Sequence, residues 1–170
     1  MPSIARKITP CLWFDTQAEA AARFYVSVFP NSRLGRISRY GNEGRDIHGK
    51  APGTVMVVEF AIDGQNFVAL NGGPHFTFDE AVSFQVYCDS QDEIDYYWGK
   101  LGEHGEHGPC GWLKDRFGLS WQIVPSVIPD MMTDPDRAKA DRVMKAILQM
   151  KKIDIAALQR AGDGAEPSMR

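Results

Sequence analysis

The chain has 170 residues, 44% of them hydrophobic and 24% charged, and a formal net charge of −3. That length suits one domain burying roughly two-thirds of the surface its unfolded chain exposes, and the slightly acidic balance leaves no electrostatic footprint for nucleic acid. The three cysteines, Cys11, Cys88 and Cys110, are odd in number and form no C-x-x-C pair, which argues against a disulfide framework and suits a reducing, cytoplasmic setting.

Residues 1–7 lack the apolar core of a signal peptide. The strongest apolar run, Val55 to Ile62, is interrupted by Glu59 and is too short for a bilayer, so no membrane partner is expected. Ile8 to Phe14 reads as a strand opening on Pro10. A helix from Thr16 follows, with Ala21, Phe24, Tyr25 and Val28 on one face, and Pro30-Asn31-Ser32 ends it. Arg33 to Tyr40 alternates weakly as a second strand. Gly41 to Gly53, polar and glycine-rich, reads as a long mobile loop. Thr54 to Ile62 and Asn66 to Leu70 are strands joined through Asp63-Gly64, a strong hairpin signal, and Asn71-Gly72-Gly73-Pro74 stops the sheet.

The second half repeats this β-α-β-β-β order. Val82 to Cys88 is a strand, and a helix from Ser90 places Ile94, Tyr97, Trp98 and Leu101 on one face. Gly102 to Gly108 is turn-rich and leaves room only for a very short strand. Cys110 to Lys114 and Trp121 to Val124 follow as strands around the turn at residues 115–118. Past Pro125 the pattern becomes helical: Asp134-Pro135 reads as an N-cap and first-turn proline. Val143, Ala146, Ile147 and Met150 share a face, and Asp154 caps a shorter helix through Ala161. Lys145, Lys151 and Lys152 are interleaved with that apolar face and read as solvated helix surface.

Two segments echo each other, Phe14-Asp15-Thr16-Gln17-Ala18-Glu19 and Cys88-Asp89-Ser90-Gln91-Asp92-Glu93. Each follows a strand and fits a capping box, Thr16 with Glu19 and Ser90 with Glu93, which points to a duplicated βα unit. The expected architecture is a single α+β domain over residues 1–161. Its βαβββ modules span residues 7–74 and 80–126, its C-terminal helices 129–161, and residues 162–170 form a flexible tail.

Several residues invite a chemical reading. Gln85 and Gln122 sit at or beside cavity-facing strand positions, where an amide either binds a polar ligand or satisfies its neighbour. Trp13, Trp112 and Trp121, with Phe67 and Phe76, either wall an apolar pocket or form plain core. His75 follows a strand-end loop of the kind that carries sites, and is otherwise read as a plain surface histidine. His104-x-x-His107 could be read as a ligand pair but lies in a turn rather than on a helix face, His48 reads as a solvated loop residue and Asp115 as a turn residue, and Cys110 has only His107, near it in sequence, as a candidate thiolate-stabilising partner.

The run Ile8-Thr9-Pro10-Cys11-Leu12-Trp13-Phe14, the run from Phe24 to Pro30, and the run from Asp63 to Pro74 resemble the vicinal oxygen chelate superfamily. Cys110-Gly111-Trp112-Leu113-Lys114-Asp115, Ser120-Trp121-Gln122-Ile123-Val124-Pro125 and the run from Met150 to Asp154 extend that resemblance. The superfamily includes glyoxalase I, extradiol dioxygenases and bleomycin-resistance proteins, and within it the chain looks like the PhnB-like branch. The resemblance implies paired βαβββ modules whose sheets curl around a cavity, a homodimer, and a small-molecule ligand held by Trp13, Asn71, His75, Ser83, Gln85, Trp112 and Gln122. Superfamily enzymes hold a metal through His or Glu on the first, fourth, fifth and eighth strands. The matching residues here are Pro10, Val68 or Ala69, Ser83 and Gln122, so no metal and no other cofactor is expected and no catalytic residue is assigned. The alternatives are a metal-dependent lyase or dioxygenase, and the ubiquinone-type methyltransferase that branch members are named for. A methyl donor usually lies on a glycine-rich turn after a first strand, whereas Asp15-Thr16-Gln17-Ala18 contains no glycine.

Overall fold

A computed structural model describes residues 7–165, and the chain divides into two compact units, Met1–Phe78 and Asp79–Arg170. The first contains β1 (Cys11–Phe14), α1 (Ala18–Val28), β2 (Arg33–Arg39), α2 (Arg45–His48), β3 (Val55–Ile62) and β4 (Gln65–Asn71). Its open mixed sheet has the order β1-β4-β3-β2, with β1 parallel to β4 and the other pairs antiparallel. The β3–β4 hairpin turns on Asp63 and Gly64, at φ of 45° and 72°. Two left-handed residues in sequence give the turn whose twist matches antiparallel strands, and glycine adopts it without a Cβ clash.

Residues paired in register share a face. Leu12, Phe14, Val58, Phe60, Phe67 and Ala69 therefore lie together, buried beneath Ala18, Ala21, Ala22, Tyr25 and Val28 of α1. Tyr25 stacks on Phe60 at 6.1 Å, and Phe60 on Phe67 at 5.4 Å. Burying such side chains contributes about 1.5–3 kcal/mol each. The opposite face carries Cys11, Trp13, Val57, Glu59, Val68 and Leu70.

Two expectations for this unit are corrected. Thr16 does not cap α1: Gln17 occupies the cap position without a side-chain bond, and Glu19 pairs with Arg23 at 2.7 Å. The Ala18 N–H instead donates to Asn71 Oδ1 at 2.8 Å, so β4 supplies the cap and a tertiary partner replaces the local one. The expected featureless loop contains α2, and His48 is more than a solvated side chain. Its Nδ1 accepts from the Lys50 N–H at 3.0 Å, its Nε2 donates to Glu43 O, and its ring lies 4.5 Å from that of Tyr40.

The second unit contains β5 (Ser83–Cys88), α3 (Gln91–Gly102), β6 (Glu106–His107), β7 (Trp112–Lys114), β8 (Ser120–Pro125), α4 (Ile128–Met132), α5 (Arg137–Ile147) and α6 (Ile155–Gly162). Its open sheet has the order β5-β8-β7-β6, again with the first pair parallel. The two-residue β6 is the short strand that the turn-rich sequence left room for. Ser90 caps α3 as expected, accepting from the Glu93 N–H at 3.2 Å, but Glu93 reaches back to the Asp89 N–H rather than to that of Ser90. The echoed segments thus share a position in the fold and differ in how their helices are closed.

The C-terminal helices have their own core of Val143, Ile147, Ile153 and Leu158. The cap of α5 is Asp136, not Asp134: Asp136 accepts from the Ala138 and Lys139 N–H groups, while the Asp134 carboxylate accepts from the Asp136 N–H at 2.9 Å. That local Asx-type turn shifts the helix start two residues onward. Asp154 caps α6 as expected, accepting from the Ala157 N–H at 2.8 Å. Of the expected tail, Gly162 still belongs to α6 and its carbonyl accepts from Arg142, whereas residues 166–170 lie outside the described residues. Among the described residues no helix is long and apolar enough to cross a membrane.

Candidate functional site

One face of the second sheet gathers four of the seven expected ligand residues. Phe84, Val86 and Cys88 point toward α3 together with Leu113, Trp121 and Ile123, which the register pairs with one another across the strands. His107, paired with Leu113, confirms the side by stacking on Trp98 of α3 at 4.5 Å. The opposite face therefore carries Ser83, Gln85 and Tyr87 from β5, Ser120, Gln122 and Val124 from β8, and Trp112 and Lys114 from β7.

On that face the polar side chains form a chain of hydrogen bonds. The Tyr87 hydroxyl donates to Gln85 Oε1 at 2.8 Å, Gln85 Nε2 to Gln122 Oε1 at 3.4 Å, and Gln122 Nε2 to Ser83 Oγ at 2.9 Å. Each amide nitrogen keeps one N–H, and Ser83 keeps its hydroxyl hydrogen. The two amides share one bond, and together with Ser83 they still present three donors. Trp112 neighbours Gln122 in register, and Tyr87, which the sequence reading did not single out, lies two residues beyond Gln85 on the same face of β5. Its alternation with Ser83 and Gln85 along β5 was the available signal.

Toward β6 the same face deepens into a cleft of about 350 Å³ lined by Glu80, Glu106, Trp112, Lys114, Ser120 and the 107–109 turn. Lys114 and Glu80 pair across it at 2.6 Å. The Lys114 ammonium holds the Glu80 carboxyl below its ordinary range, and Glu80 in turn raises the Lys114 pKa, with Glu106 and Asp79 adding to the effect.

The other three expected residues lie in the first unit. The Trp13 indole N–H donates to Gly73 O at 2.8 Å, and its ring stands edge-on to Phe76 at 4.9 Å. It also lies so close to Gly72 that a Cβ there would come within 2.1 Å of it. Asn71 uses both ends of its amide, accepting from Ala18 N–H and donating to Val55 O at 3.1 Å. It also borders a 320 Å³ cavity with Asp15, Thr16, Glu19, Lys50, Thr54 and Val55. His75 is exposed near Gly73.

Phe67 and Trp121 are plain core, at 4% and 2% exposure. Asp115 is buried at the β7–β8 turn, where it accepts from the Phe117 and Leu119 N–H groups and from the Trp121 indole.

The metal positions implied by the family resemblance change in one respect. Pro10 precedes β1 and shares its alternation with Leu12 and Phe14, which face α1, so the residue on the opposite face is Cys11; on β4 that residue is Val68 rather than Ala69. Partial burial raises the Cys11 thiol pKa, which disfavours the thiolate that a metal needs. In the first unit these positions hold a thiol and an apolar side chain; in the second, at Ser83 and Gln122, they hold a hydroxyl and an amide. Among the described residues no three His, Cys, Asp or Glu side chains group as a metal ligand set. These donors do not fit a divalent ion, which takes carboxylate, imidazole or thiolate ligands.

The model of the 3-demethylubiquinone-9 3-methyltransferase family matches residues 6–124. A protein from Bacillus cereus described as a putative 3-demethylubiquinone-9 3-methyltransferase, PhnB protein, is 34% identical. The match covers 71% of this chain and all of that one, with a TM-score of 0.62. Protein PA1353 from Pseudomonas aeruginosa is 18% identical over 71% of this chain and 98% of its own, with a TM-score of 0.57. The fosfomycin resistance protein FosX of Listeria monocytogenes is 11% identical over 75% of this chain and 97% of its own, at 0.50. These last two show the fold alone. No curated protein matches the chain. The repeated βαβββ order, the family match across both modules and the Bacillus cereus relative together place the chain in the PhnB-like 3-demethylubiquinone-9 3-methyltransferase family of the vicinal oxygen chelate superfamily.

Proposed function

We propose that this protein binds a small planar molecule bearing acceptor oxygens on the open face of its second sheet, without a metal. One observation carries the reading. The Tyr87–Gln85–Gln122–Ser83 chain holds two amides and a hydroxyl in fixed orientation with donors left over, with Trp112 beside Gln122 in register. Flat apolar walls around a few oriented polar groups are the usual make-up of a small-molecule site, and donors already ordered by neighbours lose little entropy on binding. A ring with carbonyl or hydroxyl substituents matches both parts, and the quinone in the family's name is of that kind.

The family's name also raises methyl transfer. The β1–α1 turn where a methyl donor would be cradled has no glycine, and Asn71 closes the first turn of the helix that follows, so we favour binding over group transfer. Calorimetry with S-adenosylmethionine separates the two: micromolar affinity would overturn this preference. The proposal includes a homodimer, which sedimentation equilibrium would measure directly.

The site itself is tested with a short-chain ubiquinol analogue as probe, followed by saturation-transfer NMR. Transfer to the wild type that is lost in Gln122→Leu supports the reading. Equal transfer to both proteins contradicts it.

A further inference from the structure

The family model stops at residue 124, and the entire Bacillus cereus relative accounts for 71% of this chain. Helices α4 to α6 lie beyond the matched residues, yet the segment leading into α6 reaches back to the candidate site. The turn between β6 and β7 carries Cys110 at φ 56° and Gly111 at φ 81°. Glycine adopts that conformation freely, whereas a cysteine is strained in it.

The N–H groups of both turn residues point at the C-terminal segment. Cys110 donates to Met150 O at 2.8 Å, and Gly111 to Lys151 O at 2.7 Å. Behind them Ile153, 1% exposed, sits where a Cβ on Gly111 would come within 3.2 Å of it. The segment is tied a second time to the start of α3. Gln91 Nε2 donates to Ile153 O, Gln91 Oε1 accepts from the Ile155 N–H at 3.0 Å, and Lys152 pairs with Asp95 at 2.6 Å. The turn's own bonds, Trp112 N–H to Pro109 O and Gly108 N–H to Trp112 O, then carry this restraint into Trp112.

We propose that residues 150–155 are a positioning clamp for Trp112: by holding Cys110 left-handed, they set the aromatic wall of the ligand site from an element outside the family's matched region. The consequence for affinity rests on the binding reading above; the clamp on the turn does not.

The test is amide hydrogen exchange and fluorine NMR on the full-length protein labelled with 5-fluorotryptophan, comparing wild type with Gln91→Ala. Exchange at Cys110 and Gly111 is expected to accelerate at least ~10-fold, with Trp121 unchanged, and the Trp112 resonance to shift or broaden. Cys110→Gly in the Gln91→Ala background removes the strain at that position and is expected to return the Trp112 resonance toward its wild-type shift. Lys152→Ala, a surface change, gives the same direction with smaller amplitude should Gln91→Ala fold poorly. Unchanged exchange at the two turn amides, or a Trp112 resonance that stays put while they open, would overturn the clamp. If the resonance responds and neither protein binds the ubiquinol analogue, the clamp stands and the binding reading falls.

Discussion

Replacing Asn71 by alanine separates a structural amide from a ligand-binding one. Asn71 is 6% exposed and holds Ala18 N–H at 2.8 Å and Val55 O at 3.1 Å. Ala18 is fully buried, so its N–H would lose its acceptor without gaining water, at about 1–3 kcal/mol. Val55 is half-buried, and the loss of its bond adds roughly 0.5–1 kcal/mol. The expected destabilisation is therefore about 1.5–4 kcal/mol, and at about 2–4 °C per kcal/mol for a chain of this length Tm falls by about 3–16 °C. Asn71→Asp keeps an acceptor for Ala18 at a helix N-terminus but loses the donor to Val55, so it should fall between wild type and alanine. Thermal and urea unfolding with matched probes would measure both variants. A loss under ~0.5 kcal/mol for Asn71→Ala would refute the assignment of Asn71 as the cap of α1, since the magnitude follows directly from those two bonds.

Removing the cap of α6, Asp154→Ala, should cost about 1 kcal/mol in the same assay, since one accepted N–H bond is lost. Cys88 is fully buried, and burial with the nearby Glu93 and Asp89 charges pushes its thiol up to about 12. At pH 8 Ellman's reagent should therefore modify Cys11 in the native protein and Cys88 only after unfolding; rapid native labelling of Cys88 would contradict its placement. The Glu80 carboxyl, held down by Lys114, should titrate below an ordinary glutamate by carbon NMR, and Lys114→Met should move it upward. A lowered carboxyl pKa favours the folded state above the ordinary glutamate range, and that contribution disappears as the pH falls through the lowered value.

Where local chemistry decides the backbone, the sequence was readable. Asp63-Gly64 marked a hairpin because two left-handed residues are needed there, the alternation of β5 put Ser83 and Gln85 on one face, and the family resemblance placed Gln122 with them. Ser90 and Asp154 were legible as caps because their partners lie three residues away. What stayed hidden depends on distant partners. The acceptor for Ala18 lies 53 residues away on Asn71, and no local pattern distinguishes that arrangement from a capping box at Thr16. Pro10 was assigned to the wrong face for a related reason: a proline before a short strand carries no alternation of its own, and only its neighbours' pairing with β4 fixes the side. Tyr87 and the tie from Gln91 to residues 153–155 likewise become visible only once strands and helices are placed.

The central claim is that a ligand lies on the Ser83–Gln122–Gln85–Tyr87 face against Trp112. Titrating the labelled protein with the short-chain ubiquinol analogue and following the side-chain amide signals of Gln85 and Gln122 and the indole of Trp112 tests it most directly. Saturable shifts at those three groups, abolished in Gln122→Leu while the fold is retained, are the expected result. Shifts confined to other residues, or none at millimolar probe, would contradict it.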